Sequence, residues 1–166
     1  MNDPKTNEEL YIINQYLASI VNSSEEAIIG KDLNGVITSW NKGAEDIYGY
    51  LANEIIGKNI TLLSPTNDIS EIQKFLQTIR EGGQIVNYET TRKRKDGKII
   101  NVVLTISPIK DIQGAIIGAS TIAQDITRQK TEENELRKTN EELTKMNSTM
   151  VDREMKMIEL KKEIEK

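Results

Sequence analysis

Leu136, Leu143, Met150, Met157 and Ile164 recur at every seventh residue, and this repeat restricts the chain more than any other feature. Placed at position a of a heptad, they put Thr139, Met146, Arg153 and Leu160 at d, with dense mixed charge in between. Sustained over about four heptads, this is a coiled-coil seam with a weak middle at Arg153. A continuous helix over 127–166 would be roughly 60 Å long at 1.5 Å per residue. A single amphipathic helix of that length cannot lay its stripe on a small domain, so it calls for a partner helix. A parallel homodimer is the economical arrangement. Its seam would be Leu136, Leu143, Met146, Met150, Met157, Leu160 and Ile164. The repeat breaks off in mid-heptad without a stop signal, which reads as a fragment with a kinase, cyclase or transcription output beyond it.

Upstream, the apolar period changes twice. Leu10, Ile13, Leu17, Ile20 and Val21 share one helical face, predicting a short amphipathic helix within 1–23. From 24 to 126 the pattern is that of strands and short helices. Ala27-Ile28-Ile29-Gly30 and Val36-Ile37-Thr38-Ser39-Trp40 flank Asn34-Gly35, a dipeptide suited to a type I′ hairpin turn. Residues 41–50 read as a short helix, and 53–57 as a briefer one ended by glycine. Asp68-Ile69-Ser70-Glu71 has the form of a capping box. It opens a helix with the apolar face Ile72, Phe75, Leu76 and Ile79, stopped by Gly82-Gly83. A meander follows: a strand over 84–95, a turn at Asp96-Gly97, and a strand on which Ile100, Val102, Leu104 and Ile106 alternate with more polar residues. Pro108 is expected to end that strand, and 115–123 forms the next.

Absences decide the chemistry. The chain has no cysteine and no histidine. Disulfides, thiolate metal sites and cysteine nucleophiles are therefore excluded, together with the commonest general base and the phosphoacceptor of a histidine kinase. No nucleophile–base pair, metal-ligand cluster or phosphate-binding glycine loop can be assembled, so the chain is not expected to be an enzyme. A net charge of -4 argues against a nucleic-acid partner. Arg92-Lys93-Arg94-Lys95 is read as a solvated hairpin end. No apolar run approaches the ~20 residues of a membrane span and no signal peptide opens the chain, so a cytoplasmic location is expected.

Several short motifs occur in order: Asp32-Leu33-Asn34-Gly35 with Ser39-Trp40-Asn41, Ile47-Tyr48-Gly49-Tyr50 with Glu54-Ile55-Ile56-Gly57-Lys58, Lys95-Asp96-Gly97-Lys98, and Asp125-Ile126-Thr127. In this order and at these separations, residues 24–127 resemble the PAS family of the S-box type. The charged C-terminal segment is similar to the helical linkers of prokaryotic sensor proteins such as histidine kinases. The resemblance implies an α+β fold with a five-stranded antiparallel sheet in the order 2-1-5-4-3 and helices on one face. It also implies small-molecule binding between helices and sheet, and a signal that leaves through the helix after the last strand. It further implies a junction in which Asp125, with Ile126 and Thr127, is tied to a basic residue near the meander hairpin, Arg94 or a neighbouring lysine. Haem held through histidine and flavin bonded to cysteine are excluded by composition. Non-covalent flavin stays open, and the cofactor is otherwise unknown.

The candidate pocket comprises Ile37, Trp40, Ile47, Phe75, Val102, Leu104, Ile106 and Ile122. Ser120, placed on the face of Ile122, is the one polar group suited to a ligand. The same residues would equally fill a dry core, and Trp40 suits packing at the sheet–helix junction as well as it suits stacking on a ligand or relaying to Asp125. Two functions remain: a sensory and dimerisation module responding to a ligand or partner, and a structural module that has lost any ligand and serves only to dimerise or bind a partner.

Overall fold

The structure, a computed structural model, describes residues 4–66 and 69–164. Alternating apolar stretches become five strands, β1 (Ala27–Asp32), β2 (Ile37–Trp40), β3 (Ile85–Lys93), β4 (Ile99–Lys110) and β5 (Ile116–Asp125). They form one antiparallel sheet in the order β2-β1-β5-β4-β3, the order expected from the motifs. The helices are α1 (Pro4–Asn22), α2 (Lys42–Tyr48), α3 (Ala52–Ile55), α4 (Ser70–Arg80) and α5 (Thr127–Ile164), with a 3₁₀ turn at Ile60–Leu63.

Three hairpin loops share one design, and it is not the type I′ turn that Asn34-Gly35 predicts. Asp32, Arg94 and Asp111 each accept the N–H of the glycine three residues on, and each donates its own N–H one residue further. Gly35, Gly97 and Gly114 have φ near +85°, whereas Asn34, Asp96 and Gln113 do not enter the left-handed region. These are three-residue loops, a type I turn closed by a left-handed glycine. The carboxylates of Asp32 and Asp111 also accept two loop N–H groups each, which fixes the turn from inside.

Pro108 does not end β4, which continues to Lys110 with Pro108 opposite Ala119. The pairing of β3 with β4 stops at Ile106. Beyond it β4 is an edge on that side, where a residue without an N–H is tolerated.

The helix α4 buries Ile72, Phe75, Leu76 and Ile79 on the sheet, as its spacing predicts. It ends in a Schellman motif: Gly83 N–H reaches Thr78 O, and Gly82, at φ +83°, donates to Ile79 O. Asp68, the expected cap, lies outside the described residues. Behind α4 the core is formed by Ala27, Ile29, Ile37, Trp40, Tyr48, Ile100, Val102, Leu104 and Ile106, among others. Residues up to Thr127 make one compact unit and α5 from Arg128 makes a second. No α5 side chain is buried.

At Gly43, α2 lies against the backbone that enters β1. A Cβ there would overlap the carbonyl oxygen of Glu26 and come within 2.7 Å of that of Ser24. Alanine in a helix is ordinarily better than glycine by about 1 kcal/mol. Here we expect Gly43→Ala to destabilise the domain by about 2 kcal/mol, since neither backbone wall can yield cheaply. Urea unfolding measures this, and a gain in stability would mean that α2 can lift off β1.

Candidate functional site

The alternation in β1 that sends Ala27 and Ile29 inward also sends Lys31 inward, where it is only 5% exposed. Its Nζ donates to Thr121 Oγ1 at 2.7 Å. In the same way the alternation in β3 turns Arg92 into the core from the sheet edge. Arg92 Nη1 forms an ion pair with Glu71 of α4 at 2.8 Å and also reaches the hydroxyl of Thr90. Thr90 in turn donates to the other oxygen of Glu71. Two cations and one carboxylate therefore meet beneath α4. Around them Ile29, Tyr48, Ile60, Leu63, Ile72, Phe75, Leu76, Ile79, Leu104 and Ile106 enclose a cavity of about 30 Å³.

Burial, and then the nearby charge of Arg92, lower the pKa of Lys31 from 10.5 to about 8. Lysine is still mostly protonated at neutral pH under that shift. Burial pushes the Tyr48 phenol well above its ordinary value, so it stays neutral.

Phe75, Leu104 and Ile106 of the expected pocket line this cavity. Ile37, Trp40 and Val102 are buried in the core without lining the cavity, and Ile47 packs, partly buried, against that core. Trp40 stacks at a tilt on Tyr48, 5.5 Å between centroids, and its Nε1 donates to Tyr50 O, so it packs the junction rather than reaching Asp125. Ser120 and Ile122 face the other way, Ile122 being 41% exposed. The inward residues of β5 are Ala119, Thr121 and Ala123. The expected phase was one residue off, because 115–123 carries apolar or small residues at both parities and its own pattern does not choose. Pairing with β1 and β4 chooses.

The basic run is bound up with the helices rather than solvated along its length. Arg92 is buried, and Arg94 donates to Asp46 O while its Nε finds no partner among the described residues. Lys95 pairs with Glu54 at 2.6 Å and lies over the Tyr50 ring. Neither Arg94 nor Lys95 pairs with Asp125, contrary to expectation. The Asp125 carboxylate instead accepts the N–H of Thr127, and Thr127 Oγ1 accepts that of Asn101 in β4. Ile126 is buried and donates its N–H to Asn101 O. The start of α5 is thus knotted to β4 through backbone bonds.

Asn41 is a site residue that reading for chemistry misses. It caps α2 by accepting Ala44 N–H, also accepts Ile28 N–H, and donates to Val21 O at the end of α1 and to Glu26 O. Its signal was an asparagine directly before a short helix.

Two apolar surfaces are left open. The α1 residues Leu10, Ile13, Tyr16, Leu17 and Ile20 are exposed. On α5, so are Leu136, Leu143, Met146, Met150, Met157, Leu160 and Ile164. Among the described residues no acidic cluster is fit to hold a metal ion, and no helix is long and apolar enough to cross a membrane.

The family described as the PAS fold matches residues 15–126. The PAS domain of a protein from Colwellia psychrerythraea is 30% identical and superposes with a TM-score of 0.64, covering 70% of this chain and 98% of that one. VqmA, solved bound to DPO, is 25% identical and superposes with a TM-score of 0.56, covering 67% of this chain and 57% of that one. Phytochrome of Picea abies is 25% identical over 128 residues, 74% of this chain. The chain spans only 11% of that relative's length.

Proposed function

The chain belongs to the PAS family of sensory domains, and from that premise we propose that it is the cytoplasmic sensory and dimerisation module of a prokaryotic signal-transduction protein. A change at the cavity, on ligand or partner binding, alters the pose of α5, and a parallel homodimeric coiled coil passes it to an output domain. Catalysis belongs to that output. The observation that carries this reading is the knot of Asp125, Ile126 and Thr127 on Asn101, which fastens the first residue of α5 to β4, two residues from Val103 and three from the cavity-lining Leu104.

The exposed face of α5 supports a coil with more than one packing. Its stripe through Met150, Met157 and Ile164 has Arg153 at a core position. Val151, Met155 and Ile158, all exposed and spaced four and three residues apart, form a second stripe beside it. A rotation of the helices exchanges one stripe for the other, the kind of two-state element that a small input can bias.

Arg153→Leu is expected to complete the first stripe and tighten the dimer about tenfold, the order of one repaired core layer. Sedimentation equilibrium of the full chain tests both claims. A monomeric wild type would end the dimer reading, and an unchanged dissociation constant in the variant would place Arg153 outside the seam. The competing reading, a ligand-free dimerisation module, is favoured by the small volume of the cavity, about 30 Å³.

A further inference from the structure

Among the described residues Lys31 has no acid of its own. Its ammonium carries three protons, and the hydroxyl of Thr121 takes one of them. Glu71 is committed to Arg92 and Thr90. The remaining walls of the cavity are Tyr48 and aliphatic or aromatic side chains. Thr121, accepting from Lys31, keeps its own O–H to donate. Two ammonium protons and one hydroxyl proton thus converge where a methionine and a valine would fill the same space at no electrostatic cost.

We propose that this cavity is a recognition site for a small monocarboxylate with a short apolar tail. The carboxylate accepts from Lys31 Nζ and Thr121 Oγ1, and the tail lies among Ile29, Phe75, Leu104 and Ile106. The proposal rests on the reading of the core as the input site. It narrows that reading to an anion because a neutral ligand would leave the buried charge uncompensated and a cationic one would add to it. Among the described residues a monoanion matches the Lys31 ammonium, with Arg92 held by Glu71. The volume, about twice what a single buried water needs, limits the ligand to a few heavy atoms unless α4 shifts. Phe75 and Leu76 make α4 the wall that a longer tail would move.

The test uses the full chain, with propionate and butyrate as probes and 1-propanol, 1-butylamine and sodium chloride at matched ionic strength as controls. Calorimetric titration and thermal unfolding are followed together. The carboxylates are expected to bind saturably and raise the unfolding temperature, while the controls do neither. Lys31→Met, which keeps the core packed, is expected to weaken binding roughly 10- to 100-fold, the value of a charge-assisted hydrogen bond. Thr121→Val is expected to weaken it less. Equal binding of the alcohol, binding retained in Lys31→Met, or no carboxylate binding to wild type would each overturn the proposal. Spin labels at Ser148 of the two protomers report the coil separately. Binding without any change in their distance would leave the site standing and count against transmission through the coil.

Discussion

The Lys31→Met chain, free of ligand, is expected to be more stable than wild type at pH 7 by about 2 kcal/mol. The lysine pKa falls from 10.5 to about 8 in the folded protein, because burial and Arg92 both disfavour its charge. At about 1.4 kcal/mol per unit, that is a penalty of up to roughly 3 kcal/mol. Removing the lysine also strands the Thr121 hydroxyl, which gives back about 1 kcal/mol. The sign against pH follows from proton binding. Below pH 8 both folded and unfolded lysine are protonated and the full penalty is present. Between about 8 and 10.5 the unfolded chain holds the proton and the folded one does not, so wild-type stability gains as pH rises. The difference between wild type and Lys31→Met should therefore close across this window. Of the groups packed around Lys31, Arg92 is ion-paired with Glu71 and the Tyr48 phenol is pushed upward by burial. Urea unfolding of both chains from pH 6 to 10.5 measures the difference. Parallel profiles would show that the ammonium is compensated by something other than Thr121.

The opposite result, a large loss, is expected for Asn41→Ala. One side chain, 3% exposed, makes four bonds: it accepts from Ile28 and Ala44 N–H and donates to Val21 and Glu26 carbonyls, all within 2.8 to 3.0 Å. Loss of the helix cap alone costs about 1 kcal/mol. Ile28 N–H and Glu26 O lose the bond from Asn41, and Val21 O keeps only the long bond from Ser24 N–H, at about 1 kcal/mol apiece. The sum is expected at about 3–5 kcal/mol, a large share of the roughly 5–15 kcal/mol that holds an ordinary domain folded. Asn41→Asp keeps both acceptors but faces two carbonyl oxygens with a carboxylate, so it should fall between wild type and alanine. Hydrogen exchange in the last turn of α1 should rise in both variants, since Val21 loses its tie to the sheet. A loss no greater than that of a cap would mean that the three long-range bonds contribute nothing.

The two residues with the largest expected effects differ in how visible they were. Asn41 stands in the Ser39-Trp40-Asn41 motif, but its role depends on Ile28, Val21 and Glu26, which meet only when β1 and the end of α1 come together. Lys31 lay two residues beyond Ile29 on a strand whose alternation was readable, and following that period would have turned it inward. Charge alone argues for exposure, and the burial of Lys31 follows the strand period instead. Arg92 repeats the lesson: inside a basic run it reads as solvated, yet Tyr88, Thr90 and Arg92 share the face of β3 that meets α4.

What the sequence by itself determined are the features whose causes lie within a few residues. The helix face Ile72, Phe75, Leu76 and Ile79, its glycine stop, the alternation in β4 and the positions of the glycine-closed turns all follow from local periodicity and local φ preference. The strand order came with the family motifs rather than with any single period. Tertiary structure alone decided the phase of β5, where both parities are apolar or small and a slip of one residue exchanges Ser120 and Ile122 for Thr121. It also decided that Arg94 and Lys95 turn to Asp46 and Glu54 instead of Asp125. Long flexible cations take the partner that packing brings within reach, and that partner is distant in sequence.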